Sequence, residues 1–408
     1  MGVTYPLALD VGDRLVVVVG GGTVATRRAG ALVEAGADVR VVAPRISAEL
    51  ARRVAAGDVG LHARPYAPGD LAGAWLVHAA TDDPAVNARV AADAEELHVW
   101  CVRADDAEAA TARTPAVARA GDVCVAVTSG DPGRSRTLAR AVALALDTGD
   151  LPVRTQRRAG VGLVSLVGGG PGDPGLITVR GRRAVAEADV VVVDKLAPRD
   201  LLAGLADDVL VVDAGKAPHA HNLTQEQINA VLVEHALAGR RVVRLKGGDP
   251  YVFGRGGEEA LACVAAGVPF EVVPGVTSAI AVPALAGIPV THRGVTQDLA
   301  VVSAHLDPSH PGATVDWDAL ACGPGTLVLL MAVSHLDRVA EELVKRGRAA
   351  DTPVALISDG TTPRQRVLVS TLGAVAADAG SARVHPPAVV VVGDVVRLRR
   401  LLAPDVAA

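Results

Sequence analysis

The sequence predicts an α/β protein whose sheets are largely parallel, and three observations support this fold class. Half of the 408 residues are hydrophobic, which provides for a large core. Runs of β-branched residues recur, as in LVVVVG, ADVVVVD and PAVVVVGDVV, and such runs are typical of strands buried on both faces. Alanine-rich segments of helical length separate the runs. This alternation indicates helices packed on both sides of parallel sheets.

A segment of turn formers and charged residues, DTGDLPVRTQRRAG, interrupts this alternation between residues 147 and 160. We interpret it as a linker between an N-terminal domain, 1–146, and a C-terminal domain, 161–402. A chain of this length suits two or three domains at ~100–200 residues each.

The overall composition excludes several classes of protein. A net charge of −5 gives no indication of a nucleic-acid or membrane-surface partner. The four cysteines form no CxxC pair, and no His/Cys cluster has metal-ligand spacing, so we expect reduced thiols, a cytoplasmic protein and no structural metal. The N-terminus does not have the pattern of a signal peptide. The uncharged stretch 272–291 is as long as the ~20 residues of a membrane span, but its prolines predict a buried loop, a short helix and another loop.

A glycine triplet follows the first predicted strand, 16–19. Gly20, Gly22 and Ala25 fit the G-x-G-x-x-[GA] fingerprint, in which small residues let backbone N–H groups and a helix N-terminus approach a pyrophosphate. A predicted helix and a second strand, 38–43, follow in the order of a dinucleotide-binding βαβ unit. The simpler alternative is a tight turn without a ligand. The candidate nucleotide-binding residues are Gly20, Gly22, Thr23, Val24, Pro44 and Arg45.

The position that usually selects between NAD and NADP carries an unusual sequence. Many dinucleotide-binding domains have an acidic residue after the second strand, where it binds the ribose hydroxyls. Here the tripeptide APR, 43–45, stands instead. Arg45 suits a 2′-phosphate, so the residues alone leave the choice between NAD and NADP open.

Two further predicted strands end in polar residues, in HAATDDPAVN (78–87) and HVWCVRADDAEAA (98–110). Open parallel sheets bind ligands at the carboxyl ends of their strands. Asp105 and Asp106 in the second stretch are therefore candidates for a general base, and a solvated acidic loop is the alternative that the pattern alone favours.

These motifs resemble, in order, the precorrin-2 dehydrogenase/ferrochelatase domain of siroheme (sirohaem) synthases. The resemblance implies a Rossmann-type fold, NAD as the hydride acceptor, and Asp105 as an acid/base residue that also handles metal. Two departures matter: Val102 replaces the family's asparagine, and the segment after residue 130 is shorter than the helical dimerisation segment of bifunctional relatives. Dehydrogenation is thus implied more strongly than iron insertion or the family's dimer mode. The matching stretches are GGGTVATRR, EAGA, VVAP, ATDDPAVN, CVRAD and VAVTSGD.

A second glycine triplet, in LVSLVGGGPGDPGLITVRG, differs from the first because Pro171 and Pro174 follow it. Proline has no N–H to donate to an anion, and it delays the start of a helix. The loop therefore suits a ligand other than a pyrophosphate. An ordinary proline-rich turn is the alternative.

The stretches around and after this loop resemble uroporphyrinogen III C-methyltransferases of the tetrapyrrole methylase family, over residues 161–400. RLKGGDPYVFGRGGEE is long enough to exclude a chance match, and VVVVDKL, VVDAGK, PGVTSA, GIPVTHR, LLMAV and ISDGTT also have counterparts. The resemblance implies two α/β subdomains with S-adenosylmethionine in the cleft between them. The cofactor-binding residues that it implies are Pro171, Gly247, Gly248, Asp249, Val252, Thr277, Ser278, Met331 and Gly360.

The same resemblance implies the catalytic groups: Asp194 as the proton acceptor and Lys216 as the proton donor. In the implied reaction a pyrrole carbon of the substrate attacks the methyl group of S-adenosylmethionine. Because the substrate carries many carboxylates, nearby basic residues are candidates to bind them, and a solvated surface charge is the alternative for each. These candidates are Arg244, Lys246, Arg255, His292 and Arg293.

Together the two resemblances predict a multifunctional enzyme of siroheme and porphyrin biosynthesis. It would methylate uroporphyrinogen III twice to precorrin-2, oxidise precorrin-2 to sirohydrochlorin with NAD, and insert ferrous iron through a lyase activity. The family also implies a homodimer. Two alternatives stay open: a methyltransferase that feeds cobalamin synthesis and has a vestigial N-terminal half, and an NAD sensor that gates methylation. The RLKGGDPYVFGRGGEE stretch argues against a third, another tetrapyrrole or diphthine-type methylase. The choice between iron and cobalt is also open.

Overall fold

The computed structural model describes residues 5–151, 160–215 and 223–403, and the chain forms two compact units. The first unit contains the chain up to residue 119 together with 124–140, and the second contains 120–123 and the chain from 141 onward. Most of the predicted linker and the candidate proton donor Lys216 lie outside the described residues.

The first unit is built on one parallel sheet. Its elements are β1 (Leu15–Val19), α1 (Thr23–Glu34), β2 (Asp38–Val42), α2 (Ala48–Ala55), β3 (Gly60–His62), β4 (Leu76–Ala79), α3 (Pro84–Glu96) and β5 (Trp100–Arg103), followed by β6 (Ala116–Ala120), β7 (Val123–Val127) and α4 (Pro132–Thr148). The strand order is β3-β2-β1-β4-β5, and β6 pairs with β7. The order reverses between β1 and β4, which is where doubly wound sheets bind nucleotides.

The valine run of β1 is buried on both faces of this sheet, as its composition predicts. Val17 and Val19 pack with Val77 on one face, whereas Val18 packs with Ala25 of α1 on the other. A strand that is covered on both sides has no solvent face, which is why its sequence shows no polar alternation.

The second unit begins with another parallel sheet, with the strand order β10-β9-β11-β8-β12. Helices on both of its faces complete the first half of the unit. The elements are β8 (Leu163–Gly168), α5 (Val179–Ala186), β9 (Val190–Val193), β10 (Leu210–Asp213), α6 (Gln225–Leu237), β11 (Arg241–Lys246), α7 (Gly256–Ala265) and β12 (Phe270–Val273).

The second half of this unit is a mixed sheet. Its elements are α8 (Ser278–Leu285), β13 (Leu299–Ser303), α9 (Trp317–Cys322), β14 (Thr326–Leu330), α10 (Leu336–Lys345), β15 (Pro353–Ser358), β16 (Arg366–Thr371), α11 (Val375–Ser381), β17 (Ala388–Val392) and α12 (Arg399–Leu402). In the order β13-β14-β17-β15-β16, β13 and β14 are parallel and the other pairings are antiparallel. The expectation of parallel strands is wrong for this sheet. The connection 359–365 between β15 and β16 is too short for a parallel crossover.

The uncharged stretch 272–291 forms the end of β12, a loop, α8 and a second loop, as its prolines predict. The first loop, 274–277, is half-buried to exposed, so the expectation of a buried loop is wrong. The described ranges contain no helix that is long and apolar enough to cross a membrane.

Candidate functional site

The first glycine turn packs closely against neighbouring backbone at Gly20 and Gly21. Gly20 has a φ of +128°, and a Cβ there would overlap the carbonyl group of Ala80. A Cβ at Gly21 would overlap the carbonyl oxygen of Arg45, whereas one at Gly22 would meet nothing within 4 Å. Close packing at Gly20 and Gly21 thus leaves Gly22 facing open space, where a ligand can approach the backbone.

The N-terminus of α1 begins at this open side. Gly22 is its N-cap and provides no side-chain hydrogen bond, and Gly22, Thr23 and Val24 are exposed. The first backbone N–H groups of a helix have no partner within the helix, and they favour an anion such as a pyrophosphate. Ala25 is fully buried against the sheet, which is the role of the third small residue in the fingerprint.

Hydrogen bonds connect the loop after β2 to the first glycine turn and to α1. Ser47 N–H donates to the Gly21 carbonyl (2.9 Å), and the hydroxyl groups of Ser47 and Thr26 lie 2.8 Å apart. Pro44 and Arg45 precede this anchor and are exposed. The structure therefore brings together the six residues that the sequence proposes for nucleotide binding.

Asn87 is a residue of this unit that the sequence reasoning did not single out. It is fully buried, its Oδ1 accepts from the backbone N–H (3.1 Å) and hydroxyl (2.8 Å) of Thr81, and its Nδ2 donates to the Thr81 carbonyl (3.0 Å). These bonds fix the chain just after β4, next to the Ala80 carbonyl that contacts Gly20. Thr81 and Asn87 both belong to the ATDDPAVN stretch, so this motif was the sequence signal that could have identified Asn87.

The two aspartates after β5 have different surroundings. Arg103 donates to both carboxylate oxygens of Asp105 (3.2 and 2.8 Å), and this interaction lowers the pKa of Asp105, with a further contribution from Asn87. Asp106 accepts from the backbone N–H groups of Glu108 and Ala109 (2.9 and 3.1 Å) and so stabilises a local turn. Asp105 is therefore an ionised carboxylate, whereas Asp106 has a structural role.

His78 of β4 predicts an acid-sensitive first unit. Burial, with a smaller contribution from Arg28, lowers the pKa of His78 to about 4. The unfolded chain takes up this proton near pH ~6.5, so the neutral side chain stabilises the fold above that pH, and the contribution is lost as the pH falls from ~6.5 to ~4. It is worth at most about 3 kcal/mol. Denaturant unfolding at several pH values is expected to show this slope in the wild type and a flatter one in His78→Leu; equal slopes would contradict it.

In the second unit, three backbone segments converge without room for side chains. A Cβ at Gly168 would lie 2.5 Å from the Cα of Gly275, and one at Gly275 would overlap the carbonyl oxygen of Gly248. Gly248 N–H donates to the Gly170 carbonyl (2.7 Å), and Gly170 N–H donates to the Gly248 carbonyl (3.2 Å). The second triplet is thus hydrogen-bonded to the RLKGGDP loop and packs closely against the loop before α8.

The proline-containing loop also reaches the mixed sheet. Gly172 has a φ of +149°, and a Cβ there would lie 2.9 Å from Thr361 Oγ1 and 3.2 Å from the Gly360 carbonyl oxygen. Asp173 N–H donates to Thr361 Oγ1 (3.0 Å). These contacts bring Pro171 and Gly360, two predicted cofactor residues from different halves of the unit, to the same place.

Both carboxylate oxygens of Asp249 accept hydrogen bonds from backbone N–H groups. Its Oδ1 accepts from Tyr251 N–H (2.8 Å) and its Oδ2 from Gly275 N–H (3.0 Å). The carboxylate therefore holds the loop that leads to Thr277 and Ser278, where α8 begins. Each oxygen still has one lone pair for a ligand.

Strained backbone marks the same region. Met331, directly after β14, has a φ of +59° and is 48% exposed. Phe253, Arg255, Asp359 and Thr361 also have positive φ values. Non-glycine residues in this conformation often lie at functional sites, where the surrounding structure holds them.

A buried ionic network lies behind this region and corrects one expectation. Arg244 and Lys246 are buried, and both donate to Glu259, so they do not form a surface clamp for substrate carboxylates. Arg244 also donates to Asp194 Oδ1 (3.2 Å) at the end of β9. Burial, and next the charge of Arg244, lower the pKa of Lys246.

The remaining clamp candidates are at the surface. Arg255 forms two hydrogen bonds with Glu258 (2.8 and 2.7 Å), whereas His292 and Arg293 are exposed on the loop after α8. The described residues contain no group of three His, Cys, Asp or Glu side chains that could hold a metal ion.

Comparison with known proteins gives matches for both units. Residues 163–376 match the family of Tetrapyrrole (Corrin/Porphyrin) Methylases, and residues 7–116 match a putative NAD(P)-binding family. A protein named Siroheme synthase, from Azotobacter vinelandii, is 40% identical over 455 aligned positions, which cover 98% of this chain and 97% of the relative. The alignment is longer than this chain, so the relative has residues that this chain lacks.

Two further relatives match the second unit. An S-adenosyl-L-methionine-dependent uroporphyrinogen III methyltransferase from Methanosarcina barkeri is 52% identical over 241 residues, which are 59% of this chain and 94% of the relative. The crystal structure of uroporphyrin-III C-methyl transferase from Thermus thermophilus, complexed with S-adenyl homocysteine, is 42% identical. It covers 58% of this chain and 100% of its own, with a TM-score of 0.51.

Proposed function

Since this chain belongs to the siroheme synthase family, we propose that it methylates uroporphyrinogen III to precorrin-2 with S-adenosylmethionine and then oxidises precorrin-2 to sirohydrochlorin with NAD. The similarity spans nearly the whole chain, so both units take part in this function. It does not favour the alternative in which the N-terminal half is vestigial or only senses NAD.

The convergence of Gly168, Gly248 and Gly275 is the observation that carries the methyltransferase assignment. Their close packing exposes backbone on a loop surface that also includes Pro171 and Gly360. The residues present fit S-adenosylmethionine, because glycine loops allow close approach and the backbone groups can bind its polar ends.

Asp194 lies at the end of the strand next to this loop. Its N–H donates to the Leu245 carbonyl (2.8 Å), two residues before Gly247. S-adenosylmethionine supplies, when bound, an electrophilic methyl group. In the proposed reaction, Asp194 accepts the proton that the substrate releases after a ring carbon is methylated. His292 and Arg293 bind substrate carboxylates and orient the reacting carbon.

The dehydrogenase assignment depends on the first glycine turn. Gly22, Thr23 and Val24 present backbone N–H groups to the cofactor's pyrophosphate, and NAD supplies hydride acceptance when it is bound. Asp105, kept ionised by Arg103, is the proton acceptor of this unit.

We also propose the finer features of the family for this chain: insertion of ferrous iron as a substrate with the help of Asp105, a homodimer, a cytoplasmic location, and a supply of precorrin-2 to cobalamin synthesis. The carboxylate of Asp105 is a suitable oxygen ligand for a divalent cation in transit. Because the relative has residues that this chain lacks, the dimer contacts of this chain need not be those of the relative.

A stepwise assay tests the proposal. Purified protein is given uroporphyrinogen III and S-adenosylmethionine, then NAD, then ferrous iron, and absorbance spectra are recorded after each addition. We expect precorrin-2, then sirohydrochlorin with one NADH per turnover, then siroheme. Methylation without any NADH would remove the dehydrogenase assignment, and a spectrum that stays at sirohydrochlorin would remove iron insertion alone.

A further inference from the structure

Glu259 is a fully buried carboxylate on α7 that contacts two cations. Its exposure is 0%, and its Oε1 accepts from Arg244 Nε (2.8 Å) and Lys246 Nζ (3.0 Å). Its Oε2 also accepts from Lys246 Nζ (3.0 Å). Burying three charges costs free energy that hydrophobic residues of similar size would not, so stability alone does not explain the cluster.

Arg244 connects this cluster to the candidate proton acceptor. One end of its guanidinium donates to Glu259, and another nitrogen donates to Asp194 Oδ1 (3.2 Å). A third hydrogen bond, from Arg244 Nη1 to the Val192 carbonyl (3.3 Å), connects the guanidinium to β9. With 2% exposure, Arg244 has its orientation set by protein groups rather than by water.

The negative charge of Glu259 compensates the positive charges of Arg244 and Lys246. Without it, Arg244 and Lys246 would be two neighbouring buried cations that repel each other. The guanidinium would then lose the charged acceptor of its Nε and shift away from Lys246, which would alter the hydrogen bond that it donates to the carboxylate of Asp194. Because the guanidinium is planar and rigid, the hydrogen bond to Glu259 on one side also fixes the direction of the hydrogen bond to Asp194 on the other.

We propose that Glu259 is a positioning residue for methyl transfer, which acts through Arg244 to orient the carboxylate of Asp194 at the end of β9. The inference rests on the proposed function, because it requires Asp194 to accept the proton. Glu259 itself is buried and does not touch the substrate.

The test is a double-mutant cycle between Glu259→Gln and Asp194→Asn. In the full-length protein, Glu259→Gln is expected to lower kcat for methylation by ~10- to 100-fold, because a misplaced catalytic group costs about that much. The Kd for S-adenosylmethionine should stay within about twofold, since this residue does not line the loops that bind it. In the Asp194→Asn background, Glu259→Gln should lower kcat no further.

A matched control is Glu271→Gln on β12. Glu271 is a partly buried glutamate that accepts a hydrogen bond from Ser165 (2.8 Å) and pairs with Arg180, and these contacts do not involve Arg244 or Asp194. The kcat of the Glu271→Gln variant is expected to equal that of the wild type. A kcat for Glu259→Gln that equals the wild type, or an effect of equal size with and without Asp194, would overturn the inference.

A second variant covers the case in which Glu259→Gln does not fold. Lys246→Met combined with Glu259→Gln removes one cation together with the carboxylate, so no additional unpaired charge is buried. Repulsion by Lys246 is absent in this variant, but Arg244 Nε still lacks its carboxylate partner, so kcat should fall here as well. The loss should again be non-additive with Asp194→Asn. If the folded variant turns over at the wild-type rate, Glu259 has only a structural role.

The outcomes also separate this inference from the proposed function. A normal kcat in Asp194→Asn would overturn the positioning role together with the assignment of Asp194 as the proton acceptor, whereas the failure of the wild type to methylate would overturn the proposed function itself. A low kcat in Asp194→Asn together with a normal kcat in Glu259→Gln would overturn the positioning role and leave the methyltransferase proposal standing.

Discussion

Replacement of Asp194 by asparagine is expected to lower kcat for the methylation of uroporphyrinogen III by ~10²- to 10⁴-fold. Asparagine preserves the shape of the side chain and can keep the contact with Arg244, but it cannot accept the proton that the methylated ring releases. Binding of S-adenosylmethionine should be unchanged, because we propose that the converging glycine loops, rather than Asp194, bind it. Transfer of a labelled methyl group gives kcat, and titration calorimetry gives the Kd.

Asp351 is exposed and precedes β15, whereas Gly360 follows the other end of that strand, so Asp351→Asn, which has no role in the proposed reaction, provides the control. It should behave as the wild type in both measurements. If Asp194→Asn methylates at the wild-type rate, another group accepts the proton. If it loses S-adenosylmethionine instead, Asp194 belongs to the cofactor site rather than to catalysis.

Replacement of Gly21 by alanine is expected to abolish NAD-dependent oxidation of precorrin-2 while methylation continues. The added Cβ would overlap the carbonyl oxygen of Arg45, so the loop after β2 or the glycine turn must move. Such overpacking costs about 1–3 kcal/mol and displaces the backbone to which we assign the pyrophosphate. NADH formation and methyl transfer, measured on the same preparation, report the two activities.

Gly69→Ala is the matched substitution in the same unit. A Cβ at Gly69 would meet nothing within 4 Å, so this variant should keep both activities. Equal NADH formation in Gly21→Ala and Gly69→Ala would contradict the assignment of the first turn. A parallel loss of both activities in Gly21→Ala would instead point to unfolding of the whole chain.

Local sequence predicted the backbone features of the two glycine turns. The G-x-G-x-x-A spacing separates a tight position, an open position and a buried position, and Gly20, Gly22 and Ala25 have these roles in the structure. The prolines of the second triplet correctly indicated a loop unlike the first. Such features depend on φ and on the absence of a side chain, which residue type alone controls.

Residues whose role depends on distant partners were harder to predict. Arg244 and Lys246 are basic residues in a binding motif, which suggested a substrate clamp, but α7 brings Glu259 against both. Gly21 stands at an unspecified position of the fingerprint, yet its Cβ position is blocked by Arg45. Neither contact is visible in a pattern of neighbouring residues.

The α/β class, the two glycine turns and the family follow from the amino-acid sequence alone, because apolar runs, glycine and proline act locally and the motifs retain their spacing along the chain. The antiparallel pairing of the last sheet and the burial of Arg244, Lys246 and Glu259 become visible only in the folded chain. Strand direction depends on where the connections return, and the state of a charge depends on what packs around it. Both are set by residues that are far apart in the chain.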